Sequence, residues 1–458
     1  MQPNLEQFSI TELHRHFTRR VVSPREYGEH MLGLLRLEQL NAITAIDEEA
    51  ARLNAEASEQ RYMRGEPLGM LDGIMIGIKD VIETRGIPTR FGCEAYDAFI
   101  PEQDAFVVER LKQGGANISV KTNTSQFAMG PMGDVSYHGP VRNPHDPLRI
   151  SGGSSSGSGS SVAGYLCTAA LGTDSGGSIR LPAALCGVVG LKPTFSLVSN
   201  EGVMPVNASI DTVGPMTRSV EDNALVLNSI AGYNSRDWRS APLPERNYLA
   251  AIHDSIAGCR IAFAADTFDG PLAPAVRDAI ASALQAFGQL GARVRSEPLP
   301  DLQPWRTAHQ LLLMAGAYQA HQHDLEQHSE QIYEQVRTRL LQGRIHSCQY
   351  VEYERSRSAM IRMLLEWMGD CDIVLLPTTP ATAALIGAEA VEMNGELHSP
   401  LTLYPTYTWI ASFSGLPCLS LPIGKDEQGL PIGLSLMARP FHEAQLYRFA
   451  SQLERCLQ

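Results

Sequence analysis

With 458 residues, 44% of them hydrophobic, the chain can bury a substantial core as one large domain or as two to three ordinary ones. Its 37 Lys plus Arg against 50 Asp plus Glu give a net charge of -13, which disfavours broad contact with nucleic-acid phosphates or an anionic membrane surface. No stretch approaches the roughly 18 consecutive apolar residues of a membrane helix, and the start Met1-Gln-Pro-Asn-Leu-Glu-Gln has no leader pattern, so the chain reads as a mature cytoplasmic protein.

From Ile10 to Arg64 apolar residues recur at three and four residue spacing, with Ser23-Pro24 as a cap and first-turn signal, which predicts two or three helices. Gly73-Ile-Met-Ile-Gly-Ile-Lys79 is a continuous apolar run closed by Lys79 and Asp80, the pattern of a strand buried on both faces. A helical pattern over Ala105 to Gln113 leads through Gly114-Gly115 into a short strand, Asn117 to Lys121. After the nearly continuous Ser/Gly tract 151–161, the apolar stretch Val162 to Leu171 suits a helix or a buried strand. Strands are expected at Arg260 to Ala264 and Ala292 to Arg295, flanking a helix over 273–290, and again at Asp372 to Pro377 and Cys418 to Pro422. The alternation predicts an α/β fold: one large domain with a central mixed, mostly parallel sheet covered by helices on both faces, although a boundary near 235–245 is open. Eight scattered cysteines (Cys93, Cys167, Cys186, Cys259, Cys348, Cys371, Cys418 and Cys456) lack any Cys-x-x-Cys pair and read as buried free thiols.

Gly152-Gly-Ser-Ser-Ser-Gly157 has the composition of a flexible linker, but it joins a turn, Asn143 to Pro147, to an apolar element. It lacks the flanks of a phosphate-cradling loop, and its formal Gly-x-Ser-x-Gly match has no apolar strand before it. Downstream, Thr173-Asp-Ser-Gly-Gly-Ser178 sets small residues ahead of a serine, so that several backbone N–H groups can converge on a developing oxyanion. A serine nucleophile needs a base, and a lysine serves if it is held neutral. At the end of an apolar strand, desolvation lowers a lysine pKa from about 10.4 toward 7 or 8, a shift worth roughly 4 kcal/mol. These residues alone do not choose between Lys79, Lys121 and Lys192, each of which also reads as a solvated charge at a strand end.

Taken together, Gly73 to Asp80, Gly152 to Gly157, Gly172-Thr-Asp-Ser-Gly-Gly-Ser-Ile-Arg-Leu-Pro182 and Cys186 to Thr194 resemble the amidase signature family, from about residue 70 to 220. The resemblance reappears in Gly415-Leu-Pro and Gly429-Leu-Pro-Ile-Gly433. It implies a single domain with a helical segment about 1–65, a signature core about 70–220 and a remainder 221–458 that completes the sheet and pocket. It also implies a Ser-cisSer-Lys triad of Ser178 as nucleophile, Ser154 as the serine after a cis peptide and Lys79 as base, with Ser175, Gly176, Gly177 and Ser178 as the oxyanion hole. The segments holding Met129, Met132 and Tyr137, and Trp409 with Tyr404 and Tyr407, are then expected to border the acyl pocket. Asp174 and Arg180 read as a structural ion pair first, with Arg180 open to an acidic substrate. His321-Gln-His323 has the look of a metal site but reads as a solvated helix face; no metal and no cofactor is expected.

Within that family the expected activity is hydrolysis of a carbon-nitrogen bond of a small carboxamide through an acyl-enzyme on Ser178. Partners would be the small amide, with no nucleic acid and no membrane, and a homodimer left open. The alternatives are the catalytic A-type subunit of a glutamine-dependent amidotransferase and a partner-dependent scaffold without hydrolytic activity. In the amidotransferase case the resemblance implies an acidic residue some ten positions before Gly-Leu-Pro, and here Pro405 takes that place.

Overall fold

The computed structural model describes residues 4–268 and 270–457; the Met1 to Pro3 start of the expected helical segment lies outside them. In chain order the strands are β1 (Ile43–Ile46), β2 (Met75–Lys79), β3 (Asn117–Thr122), β4 (Arg142–Asn143), β5 (Asp146–Ile150), β6 (Ala169–Asp174), β7 (Val189–Lys192) and β8 (Thr212–Thr217). There follow β9 (Arg260–Ala264), β10 (Arg293–Glu297), β11 (Ile373–Pro377), β12 (Val391–Met393), β13 (Glu396–His398), β14 (Cys418–Lys425) and β15 (Pro431–Ala438). Eleven of them form one sheet in the order β1-β3-β2-β6-β8-β7-β14-β15-β11-β9-β10, while β4–β5 and β12–β13 are separate ribbons.

The sheet is mixed, as expected, but parallel pairing is not its majority: β3–β2, β2–β6, β11–β9 and β9–β10 are parallel, and the six other contacts are antiparallel. The antiparallel centre arises where no crossover helix intervenes: β14 and β15 are joined by the five residues 426–430, and β7 reaches β8 through an irregular loop. Because β7 pairs with β14, strands from both sides of 235–245 share one sheet, and the chain is a single domain.

Alternate residues of the central strands enter different cores. Ile261, Phe263, Ile373 and Leu375 pack in one cluster, and Ala262, Ala264, Val374 and Leu376 in another. That is the consequence of a pleated strand with apolar side chains on both faces, each covered by helices.

The N-terminal segment forms three helices, Ile10–Thr18, Pro24–Arg36 and Glu48–Arg64, the first two opened by Ser capping boxes. The strand β1 between them was not legible, because its four residues are all half-buried and show no alternation. The Ser/Gly tract is no flexible linker: residues 151–155 form a buried irregular turn, and Ser156–Ala163 is a buried helix. It crosses so close to the sheet that a Cβ on Gly157 would lie 2.3 Å from both the Ala42 carbonyl oxygen and the Asn123 nitrogen. Its hydroxyls are spent on backbone carbonyls, Ser158 on Leu171 at 2.8 Å and Ser160 on Arg142 at 2.7 Å, so small polar residues bury without unpaired groups. Of the eight cysteines, Cys348 and Cys456 are exposed and Cys259 half-buried; the other five are buried as expected.

Gly157→Ala therefore has no room on either side and is expected to cost about 3 kcal/mol or more. Gly33→Ala, in the open part of the helix Pro24–Arg36 with nothing within 4 Å of the added Cβ, should instead stabilise by about 0.5–1 kcal/mol. Thermal unfolding of the two variants side by side reads both signs.

Candidate active site

Strands β2 and β6 run parallel, Ile78 beside Leu171, so that their C-terminal ends deliver Lys79 and Thr173-Asp174 to one place. Lys79 Nζ donates to Ser154 Oγ at 2.8 Å and to Thr173 Oγ1 at 2.7 Å. Lys79 and Ser154 have no solvent exposure. Burial lowers the Lys79 pKa to about 7, against the opposing pull of Asp174 and Asp211. The Gly153–Ser154 peptide is cis, and the Ser154 carbonyl accepts from Thr124 Oγ1 at 3.0 Å.

Lys121 and Lys192 are buried as completely, so none of the three lysines is the solvated strand-end charge that the sequence also allowed. Their partners differ from those of Lys79. Lys121 donates to the Ile82 carbonyl and to Thr89 Oγ1, with Asp80 3.9 Å away; Lys192 donates to the Pro193 carbonyl at 2.7 Å.

Ser178 stands in the loop after β6, half-buried, on the wall of a cavity, and its hydroxyl makes no hydrogen bond among the described residues. The loop is held from within by Asp174. Its Oδ1 accepts the Gly177 N–H at 2.8 Å, its Oδ2 accepts the Ile179 N–H at 3.2 Å, and Arg180 grips both oxygens at 2.9 Å. Burial alone would raise the Asp174 carboxyl, but the Arg180 guanidinium overrides it and holds the pKa at about 2. Arg180 is 1% exposed and committed to this pair, which closes it to any substrate. Gly177 adopts φ +128°, and a Cβ there would meet Thr408 Oγ1 at 2.3 Å, so only glycine fits.

Of the four N–H groups expected to face an oxyanion, that of Gly177 is thus taken by Asp174. Those of Ser175, Gly176 and Ser178 have no partner among the described residues. Ser175 is anchored by its hydroxyl to Asp211 Oδ1 at 2.5 Å.

Of the six residues expected along the pocket, two line it; Tyr404 is buried with Ile150 and Leu181, and Tyr407 bonds the Thr267 carbonyl, both off this cavity wall. Met129 and Trp409 line the cavity beside Ser178. Met132 instead packs with Ile150, Leu181 and Tyr404, and Tyr137, 39% exposed, lies against His138 away from the cavity. Sequence reasoning missed the opposite wall, where the helix Gln303–Ala320 contributes Arg306, His309 and Leu313, and the helix Glu334–Leu341 contributes Arg339. The i, i+3, i+7 spacing of Arg306, His309 and Leu313 was the available signal. No Asp or Glu lines this cavity among the described residues, and Pro405 does.

His321 is not on a solvated face: it is 3% exposed, bonds Asp324 at 2.8 Å and stacks on Phe127 at 4.0 Å. The carboxylate beside it turns a polar-looking stretch into a buried tie.

A family profile described as Amidase matches residues 35–447. The chain belongs to the amidase signature family. It is a hydrolase of the class that acts on carbon-nitrogen bonds. The chain is 37% identical over 466 residues to the A-type subunit of the glutamyl-tRNA(Gln) amidotransferase of Anaeromyxobacter sp. (strain K), covering 95% of this chain and 93% of that one. Among solved structures it is similar to one described as an amidase, at TM-score 0.89 and 33% identity, covering 98% of this chain and 100% of that one. It is also similar to one described as a vestigial protein complex that reveals the origins of an s-triazine catabolic enzyme, at TM-score 0.93 and 32% identity, covering 98% of each chain. Two of these three descriptions name part of an assembly or a complex. Among the described residues no helix is long and apolar enough to cross a membrane.

Removing the guanidinium strands the Asp174 carboxylate in the interior. Arg180→Met is expected to lose about 3–5 kcal/mol of stability, and Asp174→Asn added to it should recover part of the loss. Urea unfolding of the single and double variants checks both statements.

Proposed function

We propose that the chain hydrolyses the carboxamide of a small anionic substrate, with Ser178 as nucleophile, Lys79 as base and Ser154 as the proton relay between them. The observation that carries the catalytic part is the bond from a fully buried Lys79 amine to Ser154, whose neighbour Ser155 donates its N–H to the carbonyl of Ser178 at 3.1 Å, Ser178 being on the cavity wall. A neutral amine takes the Ser154 proton as Ser154 takes that of Ser178, and Ser178 Oγ attacks the carbonyl carbon. The N–H groups of Ser175, Gly176 and Ser178 receive the oxyanion, and Ser154 then protonates the leaving nitrogen. Water cleaves the acyl-enzyme by the same relay in reverse.

The substrate's charge is inferred from the wall. Arg339 makes no hydrogen bond or ion pair among the described residues, and burial lowers its pKa, the mark of a cation without a counter-charge. Arg306 has only a 3.5 Å contact to the Thr402 carbonyl. Two arginines and no carboxylate suit a substrate carboxylate.

A second reading makes the chain the glutamine-hydrolysing component of an amidotransferase, and the curated relatives favour it, since they carry the name of that enzyme's A-type subunit. The chemistry at Ser178 is the same in both. They part at the ammonium group of glutamine, for which this wall offers no acid.

Two measurements test these readings. Fluorophosphonate labelling should fall on Ser178 and vanish in Lys79→Ala and Ser154→Ala. Because the protonated Lys79 amine cannot accept a proton, the labelling rate should fall about tenfold per pH unit below about pH 7 and level off above it; a rate that is flat from pH 5 to 9 rejects Lys79 as the base. Ammonia release by the purified chain should be faster from glutaramate, which is glutamine without its amino group, than from L-glutamine, and Arg339→Ala should raise KM for glutaramate about tenfold with kcat little changed. Faster turnover of glutamine would favour the amidotransferase reading.

A further inference from the structure

On the helix Gln303–Ala320, His309 lies one turn from Arg306 on the same face, beside the loop that carries Ser178. Its Nε2 is 3.0 Å from the Ser175 carbonyl oxygen. A carbonyl only accepts, so Nε2 carries the proton and donates, and in the neutral ring Nδ1 then holds a lone pair. Nδ1 has no partner among the described residues and is not among the polar atoms sealed inside the protein. The ring is 6% exposed, wedged between Trp409 at 6.1 Å and Phe413 at 6.0 Å, and its Cε1 would lie 3.5 Å from a Cβ on Gly176. It cannot turn away from the cavity without losing the Ser175 bond. Burial lowers its pKa to about 4, which keeps the ring neutral at pH 7.

We propose that His309 orients the substrate by accepting, at Nδ1, an N–H from the acyl portion of the bound amide. The preferred substrates then carry an N–H between the scissile carbonyl and the carboxylate, as ureido acids do, where a plain acyl chain has a methylene. This rests on the reading of the cavity as a site for an anionic amide. A methylene facing Nδ1 would shut the lone pair off from solvent and leave it unpaired, which is the source of the discrimination.

Hydantoate and succinamate are matched anions of equal length that differ by N–H against CH2 next to the amide carbonyl. Binding of each to Ser178→Ala protein, followed by calorimetry, reads the preference without turnover. Hydantoate is expected to bind about tenfold tighter. Adding His309→Phe should bring the ratio to about one, while His309→Gln, which keeps a carbonyl acceptor, should retain part of it. Equal affinities in Ser178→Ala protein, no binding of either anion, or a ratio that survives His309→Phe each overturn the proposal. The first arm decides even where His309→Phe does not fold. Failure of the catalytic reading shows separately, as absence of fluorophosphonate label on Ser178 in the unmutated chain.

Discussion

The interaction on which the site depends is the bond between a lysine amine with no solvent exposure and two hydroxyls, those of Ser154 and Thr173. Bringing the pKa from 10.5 to about 7 corresponds to roughly 5 kcal/mol of destabilisation of the charged amine, and burial supplies it. Burial alone does not single out Lys79, because Lys121 and Lys192 are equally enclosed and lowered to about 8. What differs is the chemistry of the partners. Lys192 donates to a carbonyl, and Lys121 to a carbonyl and to the hydroxyls of Thr84 and Thr89 with a carboxylate nearby, arrangements that brace a charge. Lys79 meets hydroxyls and no carbonyl or carboxylate oxygen, and a hydroxyl can accept one proton while giving up another.

That arrangement requires backbone to come very close to the strand ends. A helix built from Gly and Ser can press against β2, β3 and β6 because it has almost no side-chain volume, and its hydroxyls cap carbonyls that the close approach would otherwise leave dry. The Asp174–Arg180 pair does the corresponding work on the far side, taking the Gly177 and Ile179 N–H groups so that the Ser178 loop has one shape. The same pair sets the number of free N–H donors at three. On the proposed mechanism, organisation of the loop and supply of oxyanion donors therefore compete for the same groups, and the Gly177 N–H is spent on organisation.

The sheet side of the site was legible because its chemistry is local in the chain: Lys79 ends an apolar run, and Ser154, Thr173 and Ser178 fall within contiguous small-residue blocks. The ends of most strands were legible for the same reason. The pairing direction was not, since an apolar run looks alike whether its neighbour is parallel or antiparallel, and β1 was too short and too evenly half-buried to show a period. The cavity's far wall was illegible for a different reason. Arg306, His309 and Arg339 are about 130 to 160 residues from Ser178 and sit on amphipathic helices whose polar face reads as solvated until the fold turns it inward. His321 misled in the same way, because its buried partner Asp324 is itself a residue that usually faces water.

The two walls therefore carry separable information. On the proposed reading the sheet side acts on the bond that is cleaved, and the helical wall meets what is attached to that bond. Glutamine would bring an ammonium into a cavity that already holds two guanidinium groups with no carboxylate partner among the described residues. At about 7 Å and an effective dielectric of about 20, each such like-charge pair costs roughly 2 kcal/mol. Glutamine's carboxylate offsets part of this by meeting an arginine, but its ammonium finds no acid among the described residues of the wall. Recognition of glutamine by this cavity therefore requires a carboxylate from outside the wall, from a partner chain or a rearranged loop, whereas an amide that carries a carboxylate alone requires nothing further.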